Sequence, residues 1–325
     1  MIPSRRLLLS VAALSMLAAG QARAGDDFPS KPVRIIVPFP AGSSADMRTR
    51  QLAALLAPRL KQPVIVENRP GAAGTLGTAF VAKAAPDGYT LTYIVTTTVA
   101  VAPHMYKDIG FDPLKDLHVL IVGNKASPIL VVRADSPIIS LKDLIARAKA
   151  EPGKLTYGTS GPGSPQHMMG ERFKRMANID LLPVHYKGDA PTLADLVGGH
   201  VDMTFGFGLA TMPLIQGGKL RPIAVASGKR MAVLPQVPAM AEAGVPNYDE
   251  FIWAGYAVPA GIAPARAKKL HQAMQEAMHS EEFKAGIVQS GAELIAGSQE
   301  HAQRLLREDH ARYGVVVREL ALKVE

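Results

Sequence analysis

The chain has 325 residues, of which 48% are hydrophobic and 20% are charged, and this composition is typical of a globular protein with one large or two medium domains. It contains no cysteine, which excludes a cysteine nucleophile, a cysteine-ligated zinc site and a lipid-anchored cysteine. The formal net charge is +8, but the lysines and arginines are scattered without a basic run, which argues against nucleic acid as a partner. A mildly positive field instead suits small anionic ligands.

The first 24 residues have the pattern of a secretory signal peptide. Arg5 and Arg6 precede an apolar run over residues 7–19, and the Ala-Arg-Ala at residues 22–24 has the spacing of a cleavage site. The run is too short to span a bilayer comfortably, and no later run is long enough. We therefore expect cleavage after Ala24 and export to the periplasm. The paired arginines leave open whether the general or the twin-arginine route is used.

A strand, a loop and a helix follow one another at the start of the mature chain. β-branched residues dominate residues 33–37, which predicts a buried strand, and leucines at helical spacing predict a helix that ends at Leu60. Ser43 and Asp46 stand three residues apart at the start of this helix, in a capping-box pattern with Asp in the Glu position. Free backbone N–H groups at the positive end of the helix dipole make this loop a candidate anion site.

The same alternation continues along the chain and predicts an α/β fold. Further strands are predicted over residues 64–66, 91–95, 120–122, 129–132, 155–158, 184–186, 201–205, 222–226 and 253–259. Strands separated by helices form parallel βαβ units, in which ligands bind beyond the carboxyl ends of the strands. The loop at Gly42, together with Thr96 and Thr97, follows such ends, so these residues are candidate ligand contacts.

A second loop rich in glycine and serine precedes a helix in the other half of the chain. It runs from Thr159 to Ser164, and Ser164 and Pro165 suit the N-cap and the first position of the next helix. We therefore expect lobe 1 from residues 25–128 and about 252–305, and lobe 2 from residues 129–251. A final helix over residues 306–325 is assigned to neither lobe. Two chain crossings between such lobes are typical of a hinged clamp.

Six segments together resemble the periplasmic solute-binding proteins of tripartite tricarboxylate transporters, the TctC-like or Bug family. They are PVRIIVPFPAGSSADMRTRQLA, VIVENRPGAAGTLG, AKAAPDGYTL, YGTSGPGSPQHMMGERF, VHYKGDAPTLADLVGGHVDMTF and LPQVPAMAEAGVP. The resemblance extends from Phe28 essentially to the end of the chain. It implies the type II periplasmic binding protein fold, with a ligand cleft between two Rossmann-like lobes. It also implies a small carboxylate as ligand and membrane permease subunits as partners.

The resemblance places ligand contacts in both loops and beyond the strand that follows the second loop. In lobe 1 the positions are Ala41, Gly42, Ser43, Ser44 and Asp46. In lobe 2 the positions are Thr159, Ser160, Gly161, Ser164, His167, Tyr186, Lys187 and Gly188. Asp46 can either orient its loop or hold a water, and the residues leave both roles open.

Two departures from the family pattern bear on the ligand. Ser43 stands where the family commonly has a second glycine, and its hydroxyl can donate to a ligand. After Phe205 the family often has Asp-Asn-Leu, whereas this chain has glycine, Phe207 and glycine, so a usual cleft acid is missing. We therefore predict a carboxylate without an amino group, with an aromatic or apolar body against Phe207. The alternative is that Phe207 points into its own lobe.

Two other functions fit the same residues. A periplasmic sensor would use the same clamp to act on a membrane receptor. A hydrolase would need Ser160 or Ser164 as nucleophile and His167 as base, but no G-x-S-x-G motif and no third member are identifiable, so no enzyme is predicted. The histidines lack metal-ligand spacing, and neither a metal nor a cofactor is predicted. We expect a monomer.

Overall fold

The computed structural model describes residues 27–319; the predicted signal peptide and residues 320–325 lie outside this range. Within it the strands form two mixed sheets, one of six strands and one of five, with helices packed around each. The part built on the six-stranded sheet is called lobe 1, and the part built on the five-stranded sheet is called lobe 2. The chain enters lobe 2 after residue 126 and returns to lobe 1 before residue 252. The predicted α/β class with two lobes is confirmed.

Within residues 27–319, ten strands lie at or near the predicted positions, a short strand over 293–294 was not predicted, and both sheets are mixed. In chain order they are β1 (Val33–Val37), β2 (Val64–Asn68), β3 (Thr90–Val95), β4 (Leu117–Ala126), β5 (Ile129–Arg133), β6 (Thr156–Thr159), β7 (Leu182–His185), β8 (Met203–Gly206), β9 (Leu220–Val225), β10 (Ile252–Pro259) and β11 (Glu293–Leu294). Lobe 1 has the order β11-β4-β10-β3-β1-β2, and lobe 2 has β7-β6-β8-β5-β9. β1 pairs in parallel with β2 and β3, and β6 with β7 and β8. β5 and β10 each pair antiparallel with both of their neighbours. They are the strands with which the chain passes from one lobe into the other, so no crossover helix of the same lobe leads into them.

The helices cover both sheets. In chain order they are α1 (Ser44–Leu60), α2 (Thr75–Ala82), α3 (Ala102–Met105), α4 (Leu141–Ala150), α5 (Pro165–Ala177), α6 (Asp189–Gly198), α7 (Gly208–Gln216), α8 (Pro264–Met278), α9 (Glu281–Gln289) and α10 (Gln299–Glu319). A short 3-10 turn over Ala72–Gly74 precedes α2, and a π-helical turn over Thr97–Val101 precedes α3. Among residues 27–319, no helix has the length and apolar character needed to cross a membrane.

Serine side chains fix where several of these helices begin. Ser43, Ser140, Ser164 and Ser280 each accept a hydrogen bond from the backbone N–H three residues further on, at the starts of α1, α4, α5 and α9. Such a cap satisfies one of the N–H groups that a helix leaves without a partner and contributes about 1 kcal/mol. The caps predicted at Ser43 and Ser164 are confirmed, and they set the two loops that precede α1 and α5.

The C-terminal helix belongs to lobe 1 and reaches lobe 2. α10 packs on the face of the lobe 1 sheet that carries Trp253, and the Trp253 Nε1–H donates to Asp309 Oδ2 at 2.7 Å. Trp253 is fully buried, so it is a core residue and not a ligand contact. Further along α10, Tyr313 and Val317 pack with Met168 of α5. The last turns of α10 therefore bridge the two lobes.

An aromatic cluster holds α5 against the lobe 2 sheet. Phe173 of α5 and Phe205 of β8 have ring centroids 6.2 Å apart, and Tyr248 lies within 6.3 and 6.4 Å of them. The Tyr248 hydroxyl donates to the Met169 carbonyl at 2.8 Å. Because these side chains are fully buried, they fix the direction of α5, whose N-terminus faces lobe 1.

Candidate functional site

A cleft lies between the two lobes, and its volume is about 700 Å³ when the part open to solvent is included. Lobe 1 lines it with Phe39, Ser43, Ser44, Ala45, Arg48, Tyr93, Val95, Asn124, Ala126, Ile252, Ala254, Ser290 and Ala292. Lobe 2 lines it with Ser160, Pro165, Gln166, Asp189, Phe207, Gly208 and Leu209. The first turns of α1, α5, α6 and α7 all contribute to this lining. The positive ends of four helix dipoles therefore converge on one cleft, an arrangement that favours negative charge in the ligand.

The first loop presents an unused hydroxyl group to the cleft. Ser43 Oγ accepts from the Asp46 N–H at 3.3 Å and is thereby committed to capping α1. Ser44 Oγ is buried and has no hydrogen-bond partner in the described part of the chain. A buried hydroxyl without a partner costs free energy, so Ser44 Oγ is well placed to bind a polar group of a ligand.

Asp46 orients this loop and does not line the cleft. Its carboxylate accepts from the Gly42 N–H at 3.0 Å, from Arg50 Nε at 2.9 Å and from Asn68 Nδ2 at 2.9 Å. Burial raises the pKa of Asp46, but the hydrogen bonds from Arg50, Gly42 and Asn68 outweigh it and hold the pKa below its usual value. Of the two roles left open for Asp46, its contacts favour orienting the loop.

Arg48 brings a buried positive charge to the lobe 1 wall. It lies one helical turn after Ser44 and is 5% exposed. Its guanidinium donates to Gln51 Oε1 at 2.8 Å, to the Gly286 carbonyl at 3.2 Å and to Ser290 Oγ at 3.0 Å. No carboxylate within residues 27–319 forms an ion pair with it. A buried cation that is held only by neutral groups favours binding of an anion.

The second loop is closed by reciprocal hydrogen bonds at the start of α5. Ser164 Oγ accepts from the His167 N–H at 3.4 Å, and His167 Nδ1 accepts from the Gly163 N–H at 3.1 Å. Burial, followed by the neighbouring His185, lowers the pKa of His167 to about 4, so its ring is neutral at pH 7. His167 thus caps the loop through these two contacts.

The serine–histidine arrangement of a hydrolase is not formed in this loop. The Ser160 hydroxyl donates to Gln166 Oε1 at 2.8 Å, and Ser164 Oγ is occupied by a backbone N–H. His167 Nδ1 is likewise occupied by a backbone N–H of the loop. A nucleophile needs a general base within hydrogen-bond reach of its hydroxyl, and these contacts favour binding over catalysis.

The acid that is missing after Phe205 does not leave the cleft without a carboxyl group. Asp189, the first residue of α6, lines the lobe 2 wall, and its Oδ1 accepts from Gln166 Nε2 at 2.8 Å. Burial raises the pKa of this carboxyl, against the opposing effect of the neighbouring Gln166 and Ser160 side chains. The acid comes from the start of α6 and not from the segment after Phe205, because the fold brings both to the same wall. Phe207 borders the cleft and is also packed in the hydrophobic core of lobe 2, so its position agrees in part with the alternative of a ring turned into its own lobe.

Ser43, Ser44, Ser160 and Phe207 are the predicted contacts that line the cleft. The others lie beside or behind the lining: Ala41, Gly42, Asp46, Thr96, Thr97, Thr159, Gly161, Ser164, His167, Tyr186, Lys187 and Gly188. Two threonines among them brace the backbone. Thr96 Oγ1 accepts from the Trp253 N–H at 3.0 Å, and Thr159 Oγ1 accepts from the Gly161 N–H at 3.2 Å.

The segment after β7 approaches lobe 1 at Gly188. Lys187 is exposed, and Tyr186 is half-buried, with its pKa raised to about 12 by burial and by Asp195. Gly188 has a φ of +136°, and a Cβ placed there would lie 2.8 Å from Pro40 Cγ of lobe 1. Glycine is therefore required at this position both for the backbone angle and for the close approach of the lobes.

The lobes are closed on each other in this structure. The Tyr106 hydroxyl of lobe 1 donates to the Pro162 carbonyl of lobe 2 at 2.8 Å. A Cβ at Gly208 of lobe 2 would lie only 1.9 Å from the Ser290 carbonyl oxygen of lobe 1. The lobes thus contact each other beside the cleft, as they would in the closed form of a hinged clamp.

Several lining residues were missed by sequence reasoning, namely Phe39, Arg48, Tyr93, Asn124, Gln166 and Asp189. Helical spacing gives a signal for one of them, because Arg48 follows Ser44 by four residues on the same face of α1. Tyr93 and Asn124 lie on strands β3 and β4, where nothing in the local pattern separates a cleft-facing side chain from a core one.

Two α/β lobes that close on a cleft lined by helix N-termini define a two-lobed solute-binding protein. The chain belongs to the TctC family, described as the tripartite tricarboxylate transporter family receptor, and the family model matches residues 48–322. The family expected from the six segments is thereby confirmed.

Curated relatives and solved structures agree with this assignment. A UPF0065 protein in the gbd 5′ region of Cupriavidus necator is 36% identical over 90% of this chain and 89% of its own. Protein BugT of Bordetella pertussis is 32% identical over 98% of each chain. The periplasmic binding protein BugD is similar in structure, with a TM-score of 0.88 and 30% identity over 92% of this chain and all of its own.

Two further solved structures contain a bound acid. Rpa4515 of R. palustris with adipate has a TM-score of 0.88 and 33% identity, over 91% of this chain and 99% of its own. MatC of Rhodopseudomonas palustris with bound malate has a TM-score of 0.85 and 28% identity, over 89% of this chain and 100% of its own. The periplasmic binding protein fold implied by the resemblance is confirmed by these likenesses.

Proposed function

We propose that this protein captures a small carboxylate in the periplasm and delivers it to the membrane subunits of a tripartite tricarboxylate transporter. The observation that carries the proposal is a hydroxyl group without a partner beside a cation without an acid on the lobe 1 wall. Ser44 Oγ is buried without a partner, and the Arg48 guanidinium is buried without an acid. Both lie at the N-terminus of α1, so hydroxyl, guanidinium and helix dipole all favour a carboxylate at one place.

The relatives support the ligand class and the location. Two proteins of the same fold hold adipate and malate, and a third is a periplasmic binding protein. The expected signal peptide agrees with export, and one chain supplies both walls of the cleft, which suits a monomer. The two loops, residues 41–46 and 159–167, are proposed to hold the ligand through Ser43, Ser44 and Ser160, which line the cleft, with residues 186–188 beside them. Closure of the lobes would give the membrane subunits a shape that differs between free and loaded protein.

A thermal-shift screen of carboxylic acids on the mature protein tests the proposal. Adipate, malate, succinate, benzoate and citrate are compared at equal concentration and ionic strength, with sulfate and chloride as inorganic controls. An acid present at a hundred times its Kd stabilises the folded protein by about 2.7 kcal/mol, which raises Tm by a few degrees. If no organic acid raises Tm above the inorganic controls, carboxylate capture is refuted. Co-purification of loaded protein with membranes that contain the transporter subunits then tests delivery.

A further inference from the structure

The two walls of the cleft carry unpaired charges of opposite sign. Arg48 stands on the lobe 1 wall and Asp189 on the lobe 2 wall, and both line the same space. Neither forms an ion pair with any side chain between residues 27 and 319. Each is held by neutral groups instead, Arg48 by Gln51 and Ser290 and Asp189 by Gln166. Their charges are therefore available to a ligand that lies between the lobes.

The surroundings of Asp189 suit a bound cation better than a second bound carboxylate. The Ser160 hydroxyl donates to the Gln166 oxygen, and the Gln166 amide donates to the Asp189 carboxylate. The other lone pairs of the carboxylate can still accept hydrogen bonds from a ligand. A second carboxylate close to Asp189 would be repelled by it, and this repulsion is stronger in the cleft than in bulk water because the dielectric constant is lower. An ammonium group there would neutralise Asp189 and donate hydrogen bonds to it.

Asp189 also stabilises the start of α6. An acid in the first turn complements the helix dipole, and Gly188 provides no side-chain cap for α6. An exposed carboxylate would interact with the helix dipole equally well, whereas a carboxylate in the wall of the cleft pays an additional cost of desolvation. Helix stabilisation therefore does not account for a carboxyl group that lies opposite a buried arginine across the cleft.

We propose that the ligand is a carboxylate that also carries an ammonium group, with its carboxylate at Arg48 and Ser44 and its ammonium at Asp189. The apolar lining between the two poles, which includes Phe207 and Ile252, contacts a short carbon body. This inference rests on the proposed function and deepens it. It replaces the expectation of an acid without an amino group, whose premise was an absent cleft acid.

Calorimetry with matched acids tests the proposal on the mature wild-type protein. Hexanoate, adipate and 6-aminohexanoate have the same carbon chain and one common carboxylate, and differ only at the other end. Phenylalanine and 3-phenylpropionate differ only by an α-ammonium group and test the second placement of the amine. We expect the amino member of at least one of these sets to bind at least tenfold more tightly than its amine-free partners.

Two variants then assign the preference to one residue. Asp189→Asn keeps the size of the side chain and removes its charge, so it should weaken binding of the preferred amino acid at least tenfold and strengthen binding of adipate. Asp180→Asn, at an exposed position of lobe 2 outside the cleft lining, removes one charge elsewhere and should leave both affinities unchanged. Tighter binding of the amine-free acid in both sets overturns the inference, as does an unchanged ratio in Asp189→Asn. If neither amino nor amine-free acids bind, the proposed function fails together with it.

Discussion

A single methyl group at residue 208 tests whether the closed arrangement of the lobes is the ligand-bound form. In Gly208→Ala the new Cβ would lie 1.9 Å from the Ser290 carbonyl oxygen, whereas ordinary contact begins at 3.4 Å. The lobes must therefore open by about 1.5 Å at this point, or strain must be accepted there. Overpacking of this kind costs about 1–3 kcal/mol, which corresponds to affinity that is roughly 5- to 150-fold weaker.

The clash arises only between the lobes, so the fold of each lobe should be kept. Gly208 is the first residue of α7 and does not have a left-handed backbone angle, so lobe 2 by itself accepts alanine there. We expect an unchanged Tm without ligand and a raised Kd for the acid that gives the largest thermal shift, measured by calorimetry. Small-angle scattering of the loaded variant should show a larger radius of gyration than that of the loaded wild type.

Gly228→Ala is the matched control for this experiment. Its Cβ would meet Asp249 of the same lobe at 3.5 Å, which is ordinary contact, and its backbone also accepts alanine. Its affinity should equal that of the wild type. Wild-type affinity in Gly208→Ala would show that Gly208 and Ser290 do not meet in the bound form, and the interpretation of this structure as the loaded clamp would then be wrong.

Three further predictions follow from contacts of single side chains. Arg48→Met should weaken binding of carboxylates at least tenfold by calorimetry without lowering Tm, because it removes a buried charge that has no acid partner; unchanged affinity would exclude Arg48 from the site. Tyr106→Phe removes the hydrogen bond to Pro162 between the lobes and should raise Kd about two- to tenfold, and an unchanged Kd would contradict a role in closure. His167 has its pKa lowered to about 4, so the unfolded chain binds more protons and stability falls as pH drops from about 6.5 toward 4. Between pH 7.5 and pH 5, urea unfolding should show that this group lowers the free energy of unfolding by about 2 kcal/mol. His167→Asn keeps an acceptor for the Gly163 N–H and should abolish this loss. An equal loss in the variant would refute the assignment.

The elements around the two loops could be predicted because their signals are local. A β-branched run gives β1, and Ser43 and Ser164 mark the starts of α1 and α5 through hydrogen bonds to residues three positions away. Helix α9 was not predicted, although Ser280 caps it, since its apolar residues are few and its neighbour α8 ends only two residues earlier. The parallel pairing of β1 with β2 and β3 follows from the alternation of strands and helices.

The polar character of the cleft could not be predicted in the same way. Arg48 and Asp189 are far apart in the chain, and each has an ordinary local explanation as a helix residue. What makes them a pair is the packing of lobe 2 against lobe 1, which no local pattern specifies. The antiparallel pairing of β10 was missed for the same reason, because its neighbours β3 and β4 precede it by more than one hundred residues.

The place of β10 in the sheet has a consequence for how the chain is made. Lobe 2 is one continuous stretch of chain, whereas β10, which lies between β4 and β3 in lobe 1, is synthesised only after all of lobe 2. A nascent chain that has emerged as far as residue 251 can therefore complete the second lobe but not the first. Lobe 1 contains both the first and the last of the described elements, so it can be completed only after lobe 2 has been synthesised.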